Sequence, residues 1–152
     1  MNINQSNPGT LVFTTPEGET ELYKVVQFHF HAPSEHTFRG KRYDAELHIV
    51  HSEFYHHDKL VLSILFDASK DLTSPFLDKL GLTSIPQWNT TNPKGGTFGS
   101  SLKPPLMEYV ERMGQSFYHY TGSFTTPPCT EGVKFLVMSE VQYITLADMA
   151  TF

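Results

Sequence analysis

Gln27-Phe28-His29-Phe30-His31-Ala32-Pro33-Ser34-Glu35-His36-Thr37, followed by Glu46-Leu47-His48-Ile49-Val50-His51, is the stretch that decides how the chain reads. It holds five of the eight histidines. His29 and His31 are one residue apart, and in a β-strand that spacing points both imidazoles to one face. The opposite parity carries Val26, Phe28 and Phe30, which need a core. His48 lies on a second apolar-alternating run, from Ala45 to Val50. Set beside the first strand as an antiparallel neighbour, that run supplies a third imidazole. Three imidazoles with an open fourth position are the arrangement of a catalytic zinc site.

Working outward, Glu21 to His31 reads as a strand. Tyr23, Val25, Gln27, His29 and His31 fall on one face and Leu22, Lys24, Val26, Phe28 and Phe30 on the other. Asp44 to Ser52 reads as its neighbour, with Glu46, His48 and Val50 on one face. Leu60 to Phe66 is a nearly continuous apolar run and reads as a buried strand. Leu11 to Phe13, Phe117 to Tyr120 and Val133 to Met138 are further strand signals. Thr15-Pro16-Glu17-Gly18 and Arg39-Gly40-Lys41-Arg42 read as turns. Ser74-Pro75 opens a short helix to about Leu80, Pro105 to Met113 fits another, and Thr145 with Asp148 resembles a helix start. Gly81 to Ser101 reads as a long surface loop containing the sequon Asn89-Thr90-Thr91. The pattern is mainly β, in a single domain.

At 152 residues the chain is long enough for one domain with a core. Net charge is -5 and the cations are scattered, which points away from nucleic acid and from a membrane surface. No apolar run is long enough to span a membrane, and Met1 to Thr10 is too polar for a signal-peptide core. Cys129 is the only cysteine, so no disulfide forms within the chain.

The residues alone leave two metal readings open. In one, His29, His31 and His48 hold zinc. In the other, His29, His31, Glu35 and the later Gly40 follow the first metal motif of cupins, with Glu35 as a ligand to iron, manganese or nickel.

The stretch Tyr120-Thr-Gly-Ser-Phe-Thr-Thr-Pro-Pro-Cys129-Thr-Glu-Gly-Val133 separates them, because it has no role in a cupin. Together with Gln27 to His31, Ser34-Glu-His-Thr37 and Glu46 to His51, it resembles the α-class carbonic anhydrases, from about Leu11 to Val137. The resemblance implies a large, twisted, mostly antiparallel central sheet with short peripheral helices and a zinc cleft on the sheet. It implies reversible hydration of carbon dioxide to bicarbonate by a zinc-bound hydroxide, with Zn2+ on His29, His31 and His48. Thr125 matches the threonine that accepts from that hydroxide and donates to a glutamate, here Glu35. The chemistry is consistent, since a carboxylate can only accept, which forces the hydroxyl to donate to it. Gln27 and Glu46 match supports of the ligating histidines. Val50, Leu62 and Phe124 match the apolar wall for carbon dioxide, and Thr126 a pocket threonine. His36 and Tyr120 match structural hydrogen-bonding positions. His51, His56, His57 and His119 have no assigned chemistry, and His56-His57-Asp58 reads as a solvated turn.

The chain also departs from the family pattern. Phe135 stands where a pocket tryptophan is usual. The N-terminal region with the proton-shuttle histidine and a C-terminal region with central strands have no counterpart, so the reading is of a partial domain over residues 1–152 with no shuttle identified. Cys129 matches half of a disulfide whose partner is absent. It and the Asn89 sequon hint at a secreted or periplasmic ancestor. Missing strands would leave unpaired sheet edges that invite association. The competing functional expectation is a catalytically weak or inactive domain of the same fold that binds or scaffolds.

Overall fold

The computed structural model describes residues 10–15, 17–74, 77, 110 and 116–150. Apart from Ser74 and from Leu77 and Val110, which are helical, the helices expected from Ser74 to about Leu80 and from Pro105 to Met113 lie outside them, as does the whole 81–101 loop with Asn89. The elements are β1 (Thr10–Thr14), β2 (Thr20–His31), β3 (Thr37–Phe38), β4 (Lys41–Arg42), β5 (Ala45–Glu53), β6 (Lys59–Ser69), β7 (Phe117–Ser123), β8 (Glu131–Met138), β9 (Gln142–Thr145) and α1 (Leu146–Met149). Every strand expected from sequence is present, most of them longer than their apolar runs. β9 carried no clear signal. The helix start at Thr145 is real: its hydroxyl accepts from the Asp148 N–H at 2.9 Å.

Seven strands form one sheet, in the order β1-β2-β5-β6-β8-β7, with β9 also paired to β6. The pairs β1–β2, β2–β5, β5–β6 and β7–β8 are antiparallel. β6 takes two parallel partners along its length. Leu60 to Ser63 pair with Lys134 to Val137 of β8, and Phe66 to Ser69 with Gln142 to Thr145 of β9. The sheet is thus mostly antiparallel but mixed at β6.

One face of the sheet carries the main core. Leu11, Phe13, Tyr23, Leu47, Ile49, Leu60, Leu62, Ile64, Phe66, Leu136, Met138 and Ile144 are buried there, with Leu77 and Val110. Each such large side chain contributes on the order of 2 kcal/mol by leaving water. Core residues come from both edge strands, so the sheet curls around them. Phe13 of β1 reaches His119 of β7, with ring centroids 5.2 Å apart. Lys134 of β8 also bridges to Glu21 of β2 at 2.6 Å. β1 and β7, at the two ends of the strand order, therefore approach each other across the curl.

One expectation about β2 needs correction. Its alternation does not run unbroken: the β2–β5 register shifts between Val25 and Gln27. Val26 is the extra residue and is 57% exposed rather than in the core. A bulge inserts one residue and so exchanges the faces beyond it. Tyr23 and Val25 consequently share the core face with Phe28 and Phe30, while Gln27, His29 and His31 turn to the other face. β3 and β4 form a hairpin whose two central residues, Arg39 and Gly40, both have positive φ, as the tight primed turn demands.

Candidate metal centre

β5 is buried at every position from Ala45 to Glu53. Its core face takes apolar side chains, while its other face carries Glu46, His48 and Val50. Polar groups placed there must find partners inside the protein. The register sets His29 directly opposite His48 and His31 opposite Glu46. The three imidazoles meet: ring centroids lie 4.8 Å apart for His29–His31, 5.3 Å for His29–His48 and 4.7 Å for His31–His48. One nitrogen from each lies within 4.8 Å of the others. The Nε2 atoms of His29 and His31 are 3.0 Å apart.

Two of the three outer nitrogens are already committed. His29 Nδ1 lies 2.9 Å from Gln27 Oε1. His48 Nε2 lies 2.6 Å from Glu46 Oε1. Both partners accept, so each ring is a donor at that nitrogen and turns the lone pair of the other toward the common point. Burial, and then the neighbouring imidazoles, hold His29 and His31 below the usual histidine range. Neutral rings with convergent lone pairs are the donor set a divalent cation requires, so the residues present fit a metal ion.

Glu46 is the hub behind this centre. Its side chain is fully buried. Oε1 accepts from His48 Nε2 and from His36 Nδ1 at 2.5 Å. Oε2 accepts from the backbone N–H groups of Glu35 and His36 at 2.9 and 2.8 Å. Burial alone would raise this carboxyl, but the hydrogen bonds from His36 and His48 outweigh it and hold the group well below the usual carboxylate range. His36, Glu46 and His48 also cluster closely enough for a cation. Their facing atoms are spent on one another, which makes them support rather than a second centre. His36 Nε2 lies 2.6 Å from the Tyr120 hydroxyl, which burial and the charges of Glu46 and Glu35 keep protonated.

The Ala32–His36 segment is pinned by Ser34, which is fully buried. Its hydroxyl donates to the His36 carbonyl at 2.7 Å and accepts from the Tyr43 N–H at 2.9 Å. This pin and Glu46 together present Glu35 to Thr125. The Thr125 hydroxyl lies 2.9 and 3.1 Å from the two Glu35 carboxylate oxygens and donates to them. Glu35 belongs to neither cation cluster, as the cupin reading would have required.

Above the imidazoles is a cavity of about 260 Å³. Gln27, His29, His31, Glu35, His48, Thr125 and Thr126 line its polar side. Val50, Val61, Phe124 and Phe135 form its apolar wall. Leu62, expected in that wall, is instead fully buried in the main core. Val61 takes its place because it is the cross-strand partner of Val50. The pairing register supplies that signal, and the strand sequence by itself does not. Phe135 does line the cavity, and Cys129 is exposed on the neighbouring loop rather than packed in a core.

A curled, mixed β-sheet bearing three convergent imidazoles, two of them held from behind by Gln27 and Glu46, defines a class of β-sheet proteins with a candidate metal site. The comparisons narrow it. The family model for eukaryotic-type carbonic anhydrase matches residues 2–152. A carbonic anhydrase of Neisseria gonorrhoeae is 33% identical over 97% of this chain and 57% of its own length. The α-carbonic anhydrase of Thermovibrio ammonificans superposes with a TM-score of 0.71 at 30% identity, covering 96% of this chain and 62% of that one. The dioscorin dioA3 of Dioscorea japonica is 34% identical over 90% of the chain and 46% of its own length. The chain belongs to the eukaryotic-type carbonic anhydrase family, and it spans about half the length of the curated relatives it matches.

Proposed function

We propose that the chain catalyses the reversible hydration of carbon dioxide to bicarbonate and a proton, with zinc held by His29, His31 and His48. The observation that carries this is the Thr125–Glu35 pair standing over the three-imidazole centre. A zinc ion there would act as a Lewis acid, making hydroxide available from water at roughly neutral pH.

The chain's own residues do the rest. Gln27 and Glu46 fix the rings of His29 and His48. Thr125 points its hydroxyl hydrogen at Glu35, so toward the cavity it can only accept. An oxygen nucleophile there must donate its hydrogen to Thr125 and is left with its lone pair free for the substrate. Carbon dioxide is small and carries no dipole, which suits the wall of Val50, Val61, Phe124 and Phe135. Among the described residues no further histidine lines the cavity.

Stopped-flow hydration by the zinc-loaded chain tests the assignment. Thr125→Ala should keep zinc and lose about 10²-fold in kcat/KM. Equal rates for the two proteins would remove Thr125 from the mechanism. The second reading is a weakly active or inactive binding or scaffolding domain. Relatives called dioscorins favour it, because they share the family without sharing the enzyme's name. Stoichiometric zinc with no hydration would support that reading.

A further inference from the structure

Tyr120 stands at the outer end of the hydrogen-bonded chain that reaches His48. Its ring lies flat on Phe135, with centroids 5.0 Å apart and planes within 8°. Its hydroxyl lies 2.6 Å from His36 Nε2. Phe135 in turn meets His36 and His48 edge-on, at 5.5 and 6.2 Å. The ring of Tyr120 is therefore held from two directions, by a stack and by a hydrogen bond.

The third side is Gly122. A Cβ built there would lie 2.9 Å from Tyr120 Cε2 and 3.6 Å from Phe135 Cδ2 and Cε2. Gly122 is not in the left-handed region, so conformation does not demand a glycine. Space does. The register of β7 against β8 shifts between Gly122 and Ser123, and Gly122 itself pairs with Val133. The Gly122–Val133 pair holds the backbone on one side, and the atom a Cβ would meet first is on the tyrosine ring, so relief comes from that ring. That ring is 42% exposed, so its way out is toward solvent and away from His36.

We propose that Gly122 is a positioning residue for the metal centre, leaving room for Tyr120 to hold His36 and so to order Glu46 and His48. The consequence follows bond by bond. Glu46 accepts from His36 Nδ1, so the neutral His36 ring has its lone pair on Nε2, where the Tyr120 hydroxyl donates. Without that donor Glu46 still keeps the proton on Nδ1, but the ring loses its outer anchor. His36 is then free to tilt, and its short bond to Glu46 bends or lengthens. His36 would sit less firmly on the shared Oε1, and His48 would lose the arrangement that aims its Nδ1 at the centre. This inference rests on the zinc reading for its effect on affinity, but the claim about the Tyr120–His36 bond stands apart from it.

The test uses the full chain, Gly122→Ala, Tyr120→Ala and the double variant. Zn2+ affinity is measured by competition with a chromophoric chelator. The hydrogen bond at His36 Nε2 is read in the metal-free protein from the nitrogen shifts in long-range 1H–15N spectra. G122A should lower Zn2+ affinity about tenfold, within the range for partners of metal ligands, and should shift the His36 Nε2 resonance away from its hydrogen-bonded position while Nδ1 stays protonated. Y120A should do the same, and the double variant should bind no more weakly than Y120A, because the clash needs the ring. A wild-type His36 pattern in G122A, or losses that multiply in the double variant, would overturn the proposal. If G122A alone fails to fold, the double variant must fold, and failure of both would equally overturn it. Should the wild-type chain bind no Zn2+, the zinc reading fails, while the His36 spectra still decide the role of Gly122.

Discussion

The backbone N–H of Glu35 donates to the carboxylate of Glu46 at 2.9 Å. The residue that orders one candidate ligand, His48, therefore also holds the loop that offers Glu35 to Thr125. One buried carboxylate ties the metal centre to the group that orients the nucleophile.

Changing Glu46 should accordingly damage both. Glu46→Gln keeps one acceptor oxygen but brings an NH2 group against N–H donors. Zinc affinity should fall about 10- to 100-fold, and stability at neutral pH by about 1.5 to 3 kcal/mol, as for a lost hydrogen bond to a charged group. The sign with pH is definite. The folded carboxyl titrates below its ordinary value of 4.5. Its stabilising contribution is present above that value and is lost as pH falls through the folded one. Denaturant melts should show the gap between wild type and E46Q narrowing only in acid. A gap that does not change with pH would rule out the carboxylate charge as its cause.

Glu35→Gln separates an orienting role from a ligand role. An amide in place of the carboxylate frees the Thr125 hydroxyl to rotate and removes no imidazole. Zinc content should be unchanged and kcat should fall, as measured by metal analysis and stopped-flow on the same preparation. Loss of zinc would make Glu35 a ligand.

His51 is fully buried on the core face of β5. Its Nδ1 donates to the Ile49 carbonyl at 2.8 Å, while its Nε2 has no hydrogen-bond partner among the described residues. Burial pushes it down to about 4, against the opposing pull of the Ile49 and Leu60 carbonyls. Below the ordinary histidine value of 6.5 the unfolded chain takes up a proton that the folded chain refuses. Stability should therefore fall as pH drops from 6.5 to about 4, by about 3 kcal/mol in all. His51→Leu should flatten that part of the profile in urea melts. An unchanged slope would assign the acid sensitivity to other groups.

Ser63 lies opposite His48 in the β5–β6 register, and its fully buried hydroxyl also has no partner among the described residues. An orphaned hydroxyl costs about 1 to 3 kcal/mol. Ser63→Ala should raise the melting temperature by a few degrees, at about 2 to 4 °C per kcal/mol for this size. A lower melting temperature would show that the hydroxyl has a partner, such as a buried water.

Much of the centre was legible because its spacing is local. His29 and His31 share a strand face by parity, and Glu46 and His48 share another, so the alternation alone placed both pairs. Thr125 was legible only through the family motif, since its partner Glu35 is distant in sequence and meets it across the fold. The rest failed where one residue of register decides. The Val26 bulge reverses parity without leaving a sequence mark, which misplaced Val26 and Tyr23. Leu62 and Val61 are adjacent and both apolar, and only their pairing with Ile49 and Val50 separates core from cavity wall. The parallel pairing of β9 with β6 is a contact between distant segments, and no local pattern encodes it.

The most direct measurement combines metal analysis with stopped-flow carbon dioxide hydration on the same purified chain, before chelation, after it, and after zinc is returned. Stoichiometric zinc, with hydration above the buffer rate that disappears on chelation and returns with zinc, is the expected result. A chain that holds stoichiometric zinc yet hydrates carbon dioxide no faster than buffer would contradict the proposed enzyme.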